Sequence, residues 1–253
     1  MRCFPGPSRS SATGAPKDQR DSKVADLYDH TRNLLRSFYD KRIHTPAILE
    51  TTTYFQNAPK YIERWKEIRA EALAVAAQID KVPRFHELMK EQTDISVQDG
   101  RDWRMFILRA YGINISQNLE RCPTVAALLS QTPEVLSAVI SFLAPRKHIP
   151  EHRGPFRGIL RFHLGLSVPK SLEQIPTAIL CINGQDFRLA EGGYLLWDDT
   201  YRHEVWNHSD EMRIALLLDV WRTNMPIDAE IISKIVLRLI QFGIQWRGMS
   251  YAG

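Results

Sequence analysis

A chain of 253 residues can bury a sizeable core, and its 44% hydrophobic and 25% charged residues are ordinary for a soluble globular protein. The net charge is +4, with Arg and Lys scattered among acids and no basic stripe with interleaved aromatics, which excludes a dedicated nucleic-acid binder. Cys3, Cys122 and Cys181 are odd in number and widely spaced; they argue against a disulfide framework and fit a reducing, cytoplasmic compartment.

Residues 1–21 are rich in Pro, Gly, Ser and Arg, lack apolar periodicity and read as a disordered tail. That composition also suits an organelle transit peptide, but the early prolines spoil an amphipathic helix. Val24, Leu27, Leu34, Leu35 and Phe38 recur at helical spacing and predict a helix over residues 22–42, followed by a loop. Ile62, Trp65, Ile68, Ala72, Leu73 and Ala76 form the apolar stripe of a second helix that Pro83 stops. Residues 84–100 read as loop with a short helix. Trp103, Met105, Ile107 and Arg109 alternate along a strand, Pro123 to Ser130 suits a short helix with Pro in its first turn, and Ala138 to Leu143 reads as a strand. After Arg222, Lys234, Arg238, Gln241 and Gln245 form one polar stripe on an otherwise apolar helix. Its apolar face is expected to pack on the core, with peripheral contact to a membrane surface as the alternative. No apolar run approaches the roughly 18–20 residues that span a bilayer. Helices first and closely spaced strands after them predict one α+β domain over residues 22–253, with a β-barrel or jelly-roll core at about residues 101–222.

Five of the eight histidines, His148, His152, His163, His203 and His208, fall between His148 and Arg222. His203 in YRHEVW and Arg213 in EMRIALLLDV flank a turn, NHSDE. A hairpin about that turn, pairing Trp206 with Met212, puts His203, Val205, Arg213 and Ala215 on one face. Arg161 and His163 in LRFHLGL likewise share a face. An arginine inside a barrel needs a carboxylate partner, and neutral imidazoles suit a divalent transition metal. Together they point to a non-haem Fe(II), 2-oxoglutarate-dependent oxygenase. Such sites use two His and one acid, usually in a His-x-Asp/Glu motif; His152-Arg153-Gly154 lacks the acid.

HRGPFRGILRFHLGL, EGGYLLWDDTYRHEVWN and RIALLLDVWR, in this order, resemble the aspartyl/asparaginyl β-hydroxylase family of Fe(II)/2-oxoglutarate oxygenases, which includes bacterial lipid A acyl 2-hydroxylases. The resemblance is dense from Ser141 to Trp221, weaker from Trp103 to Leu129, and does not reach the tail. It implies a double-stranded β-helix core with the N-terminal helices packed on it. It implies that His152 and His203 bind iron, and that Gly154 stands where related oxygenases carry the acid, a water filling that place. It implies that Arg213 and Ser141 hold the distal carboxylate of 2-oxoglutarate, while Arg161 and His163 contact the carboxylate nearest the metal. O₂ is the second co-substrate. Asp198 and Asp199 are expected to hold the turn before His203 or to orient that ring. His148 and His208 are expected at the surface or the substrate rim; Trp103, Trp197, Trp206 and Trp221 are expected to be packing residues.

The expected outcome is hydroxylation of an unactivated carbon in a peptide Asp or Asn side chain, a lipid acyl chain or an amino-acid-like metabolite. HRGPFRG looks closer to the lipid-modifying branch. A non-enzymatic β-barrel binder is the remaining alternative, and it gives no reason for paired histidines beside two arginines.

Overall fold

The computed structural model describes residue 31 and residues 33–247. The tail expected over residues 1–21 lies outside them, and the described part of the first expected helix, α1, runs over residues 33–40. Short helices follow: α2 (Thr51–Tyr54), α3 (Ala58–Glu63), α4 (Trp65–Ala76), α5 (Phe85–Leu88), α6 (Asp94–Val97), α7 (Ser116–Glu120) and α8 (Pro123–Ser130). The last helix, α9, spans Ile227–Arg247. The strands are β1 (Ile48–Leu49), β2 (Trp103–Ala110), β3 (Ile113–Asn114), β4 (Val135–Leu143), β5 (His148–His152) and β6 (Ile159–Ser167). They continue as β7 (Ala178–Ile182), β8 (Gln185–Phe187), β9 (Tyr194–Trp197), β10 (His203–Asn207) and β11 (Arg213–Trp221).

Two antiparallel sheets form, a large one in the order β1-β9-β6-β11-β4-β2-β3 and a small one in the order β5-β10-β7-β8. Alternation with period two decides what each face of the large sheet carries. Leu160, Phe162, Leu164 and Leu166 of β6, with Ile214, Leu216, Leu218 and Val220 of β11, join one buried cluster with Tyr61, Ile68, Ala72 and Val75 of α3 and α4 and with Val125, Leu128 and Leu129 of α8. At about 1.5–3 kcal/mol for each buried Leu or Phe, this helix-covered face is the main source of stability. A second cluster, including Trp103, Leu143, Ile149, Leu180, Ile182, Trp197 and Val205, draws on strands of both sheets and borders the site.

Four local expectations change. The single helix predicted up to Pro83 breaks at Arg64 (φ −102, ψ 20) into α3 and α4, and a 3-10 turn over Ile79–Lys81 ends it. The break lets Tyr61 reach the core, where its hydroxyl meets Thr132 Oγ1 at 2.7 Å. The loop predicted after α1 contains β1, which extends the large sheet by pairing with β9.

The β10–β11 hairpin does not form. β10 lies between β5 and β7 in the small sheet, and β11 lies between β4 and β6 in the large one. The NHSDE link is therefore a crossover between sheets. Asn207, 1% exposed, fixes it: its Nδ2 donates to Ala144 O at 3.0 Å and Glu211 O at 2.8 Å, and its Oδ1 accepts from Ser209 Oγ at 2.8 Å.

Nor does α9 have one polar and one buried face. Ala229, Ser233 and Ile244 are buried, and Ser233 Oγ meets Tyr39 Oη of α1 at 2.7 Å. Gln241 is drawn inward, its Nε2 donating to Tyr111 O at 2.7 Å. A second apolar stripe faces outward. Among the described residues no helix is long and apolar enough to cross a membrane.

Candidate active site

The antiparallel pairing of β5 with β10 sets His152 opposite His203, and their ring centroids lie 4.0 Å apart. Each Nδ1 sits beside a backbone carbonyl two residues earlier, Pro150 O at 2.8 Å and Tyr201 O at 2.9 Å. A carbonyl only accepts, so both Nδ1 atoms carry the proton and both Nε2 atoms keep a lone pair. Burial pushes the His152 imidazole down to about 4 and holds His203 well below its usual value. Both rings are neutral at neutral pH, the form that ligates a metal. Trp197 stands edge-on to His203, at 4.7 Å between centroids.

His152, His203, Ser141, Arg161, His163 and Arg213, on five different strands, line one cavity of about 40 Å³. Arg213 is 5% exposed and has no ion pair among the described residues. Burial alone pushes its guanidinium down to about 10. His163 is also buried, and is held well below its usual value by desolvation, then by Arg213 and Arg161. Ser141 Oγ accepts from Trp103 Nε1 at 3.1 Å, and Trp103 stacks on Phe85 at 3.9 Å. Trp103 and Trp197 therefore wall the cavity as well as packing the core.

Arg161 differs from Arg213 in holding two acids: its Nε lies 2.9 Å from Asp219 Oδ1 and its Nη1 3.2 Å from Asp199 Oδ2. These partners outweigh its desolvation and raise its pKa. Burial raises the Asp199 carboxyl to about 6 although Arg161 opposes the shift. Asp199 also explains Gly154. A Cβ built on Gly154 would lie 2.2 Å from Asp199 Oδ1, and Gly154 N donates to Asp199 O at 2.7 Å. Residue 154 thus has no room for a side chain, because the Asp199 carboxylate packs against its Cα. Among the described residues no group of three or more His, Cys, Asp or Glu converges as a metal cluster, so the paired imidazoles stand as a two-residue donor set.

The two neighbouring acids divide their work. Asp198 is fully buried and holds the turn, its Oδ1 accepting from Thr200 N at 3.0 Å and its Oδ2 pairing with Arg157 at 2.9 Å and with Arg222. Asp199 instead holds Arg161 and lines a neighbouring groove. His148 stacks on Trp206 and pairs with Glu204 at 3.0 Å, and His208 stacks on the same indole; neither lines the cavity.

A larger groove of about 170 Å³ leads from the histidine pair across the inner face of the large sheet. His152, Arg161, Asp199, His203 and Asp219 form its polar end, and Phe85, Leu88, Met89, Met105, Ile107, Val139 and Leu217 are among its apolar walls. Arg109 borders it but is engaged, donating to Asn114 Oδ1 at 2.7 Å, Val135 O at 3.0 Å and Leu129 O at 3.2 Å. The alternation of β2 carried the signal for Met105 and Ile107; nothing local marked Asp199 or Leu217 as groove residues.

The two antiparallel sheets thus enclose a pair of neutral histidines beside a buried arginine that has no ion pair among the described residues. Residues 62–223 match the aspartyl/asparaginyl β-hydroxylase family model, and the chain belongs to that family. It is 34% identical over 178 residues to an ornithine lipid ester-linked acyl 2-hydroxylase of Rhizobium tropici, covering 70% of this chain and 61% of that protein. It is 31% identical over 179 residues to the human aspartyl/asparaginyl β-hydroxylase, covering 68% of this chain and 22% of that protein. The chain thus spans about three fifths of one relative and about a fifth of the other. A solved 2OG-Fe(II) oxygenase-family oxidoreductase from Burkholderia pseudomallei is more distant: 15% identity and a TM-score of 0.38 over 52% of this chain and 72% of that one.

Proposed function

We propose that this chain is an Fe(II)- and 2-oxoglutarate-dependent hydroxylase. The observation that carries the reading is Arg213: a buried guanidinium without a counter-ion is costly unless a ligand carboxylate completes it. His152 and His203 fit iron through their Nε2 atoms, in the neutral tautomer that their Nδ1 bonds select. Arg213 with Ser141 would take the distal carboxylate of 2-oxoglutarate, and Arg161 with His163 the carboxylate near the metal. Iron and 2-oxoglutarate would supply oxidation of an unactivated C–H bond by O₂, giving an alcohol, succinate and CO₂. The chain's own part is to orient the imidazoles, keep Arg161 charged between Asp199 and Asp219, and exclude water with Trp103, Trp197 and Leu217.

The groove favours a lipid acyl chain over a peptide Asp or Asn side chain. Its walls are apolar, and its bordering arginine, Arg109, already donates to three protein oxygens. The ornithine-lipid relative agrees with that choice. The test is Fe(II)-dependent conversion of 2-oxoglutarate to succinate, first without substrate, then with an acyl lipid and with an Asp-containing peptide. Stimulation by the lipid and a product heavier by one oxygen are expected. Stimulation by the peptide alone would reassign the groove, and no Fe(II)-dependent succinate at all would remove the hydroxylase reading.

A further inference from the structure

The outward face of α9 carries an apolar stripe that neither the core nor the cavity uses. Ile227, Ile231, Ile235, Leu239, Phe242 and Trp246 follow one another at steps of four and three residues, so they form a single stripe along the helix. Their exposures run from 52% at Ile235 to 80% at Trp246. Phe242 and Trp246 lie 5.9 Å apart at the C-terminal end. A continuous exposed stripe of this kind marks an interaction surface, whereas a scatter of single apolar residues does not.

We infer that this stripe seats the protein on an anionic lipid surface. Charge identifies the occupant. The helix carries two acids, both near its start: Asp228 pairs with Arg42 of α1, and Glu230 with Lys234 at 2.6 Å. From Ile231 onward the helix sequence has Lys234, Arg238 and Arg247 and no carboxylate. Arg238 borders the stripe and has no ion pair among the described residues. An apolar face that ends in an indole, and whose charged residues beyond Ile231 are all cations, fits a bilayer boundary with acidic headgroups: the rings enter at headgroup depth and Arg238 stays in the surface potential.

Position gives the surface a use. Ile240 and Ile244, on the inward side of the same helix, pack in one cluster with Ile107, Ala110 and Val139, which line the groove leading to His152 and His203. The stripe and the wall of the groove thus lie on opposite sides of one helix. The docking surface stands on the helix alone; only its service to the groove rests on the hydroxylase reading.

The experiment is co-sedimentation of the full iron-loaded chain with vesicles of phosphatidylcholine containing phosphatidylglycerol, and with phosphatidylcholine alone. Binding to the anionic vesicles, weakened by salt, is expected. The double variant Phe242→Glu, Trp246→Glu should lose binding by at least about a hundredfold, and Arg238→Glu by about tenfold. Both change exposed side chains and should leave vesicle-free 2-oxoglutarate turnover unchanged. Equal pelleting of wild type and double variant, or a wild-type dimer that the double variant dissolves without any vesicle binding, would overturn the proposal. Vesicle binding with no 2-oxoglutarate turnover would keep the docking surface and remove the hydroxylase reading.

Discussion

On the helix side of β6 and β11 stand Leu160, Phe162, Leu164 and Leu166 and Ile214, Leu216, Leu218 and Val220; on the other side of the same strands stand Arg161, His163, Arg213 and Asp219. Neighbouring residues, about 3.3 Å apart along the chain, thus serve opposite ends. The outer row is apolar and its cost of ordering is offset by burial. The inner row holds two guanidiniums, an imidazole and a carboxylate in a partly desolvated space, and one guanidinium lacks a partner. The inner face carries buried polar groups at the expense of stability, and the outer face supplies the stability that tolerates them.

Substitutions on the two faces should therefore break different properties. The largest effect is expected at the metal. His152→Ala or His203→Ala should abolish Fe(II) binding and turnover, because only two protein ligands are available to lose; calorimetric titration with Fe(II) under anaerobic conditions checks it. Near-normal affinity in either variant would show that the residue is not a ligand. Next comes Arg213. Arg213→Ala should raise the KM for 2-oxoglutarate at least about a hundredfold, in line with the roughly 3–5 kcal/mol lost when a buried charge loses its partner. Arg213→Met should do the same yet raise the Tm of the ligand-free protein, because it removes an uncompensated buried charge. A fall in Tm there would mean that Arg213 is structural. Across the sheet, Leu164→Ala, at a fully buried site, should cost about 2–5 kcal/mol in denaturant unfolding and leave the KM for 2-oxoglutarate unchanged.

How much of this was legible in the sequence follows from the range of each interaction. Period two placed Arg161 beside His163 and ordered β2, β4 and the central strands, because strand alternation is a local property. The partner of β11 is not local. His203 and Arg213 share the interior, but they arrive from different sheets, and the reason is the side chain of Asn207 bridging to Ala144 and Glu211. The family resemblance supplied Gly154 as the missing acid; which group fills the space beside it depends on the fold bringing the turn at Asp199 against the end of β5. The break at Arg64 and the outward stripe of α9 were hidden for a related reason: an apolar pattern says which residues avoid water and not which of two surfaces covers them.

Gly154 tests that close approach. Gly154→Ala places a methyl group against the Asp199 carboxylate, and overpacking of this kind costs about 1–3 kcal/mol. The contact also disturbs Arg161, which Asp199 holds, so both stability and turnover should fall. Combining Gly154→Ala with Asp199→Ala should recover part of the stability and none of the turnover. Recovery of both in the double variant would show that Asp199 does nothing but fill space.

The smallest effect is expected in the pH dependence of the metal-free protein, and its sign separates the inner face from an ordinary acid-sensitive surface. Burial holds His152, His163 and His203 below the ordinary imidazole value of about 6.5, His152 at about 4. The unfolded chain therefore binds protons at these groups that the folded chain does not. Their contribution to stability is complete above about pH 7 and is lost as pH falls through 6.5 toward 4, on the order of 1–2 kcal/mol per histidine between pH 7 and 5. Asp199 acts in the opposite direction. Its carboxyl is raised to about 6, so the folded state holds a proton that the unfolded state releases, and lowering the pH from 7 to 5 relieves a penalty of similar size to one histidine's contribution. Three histidines against one aspartate leave a net loss, so the Tm should fall from pH 7 to 5, and His203→Ala should make that fall shallower by about a half. A Tm that rises as pH drops across this window would mean that the imidazoles are charged in the folded protein, and the reading of His152 and His203 as neutral ligands would go with it.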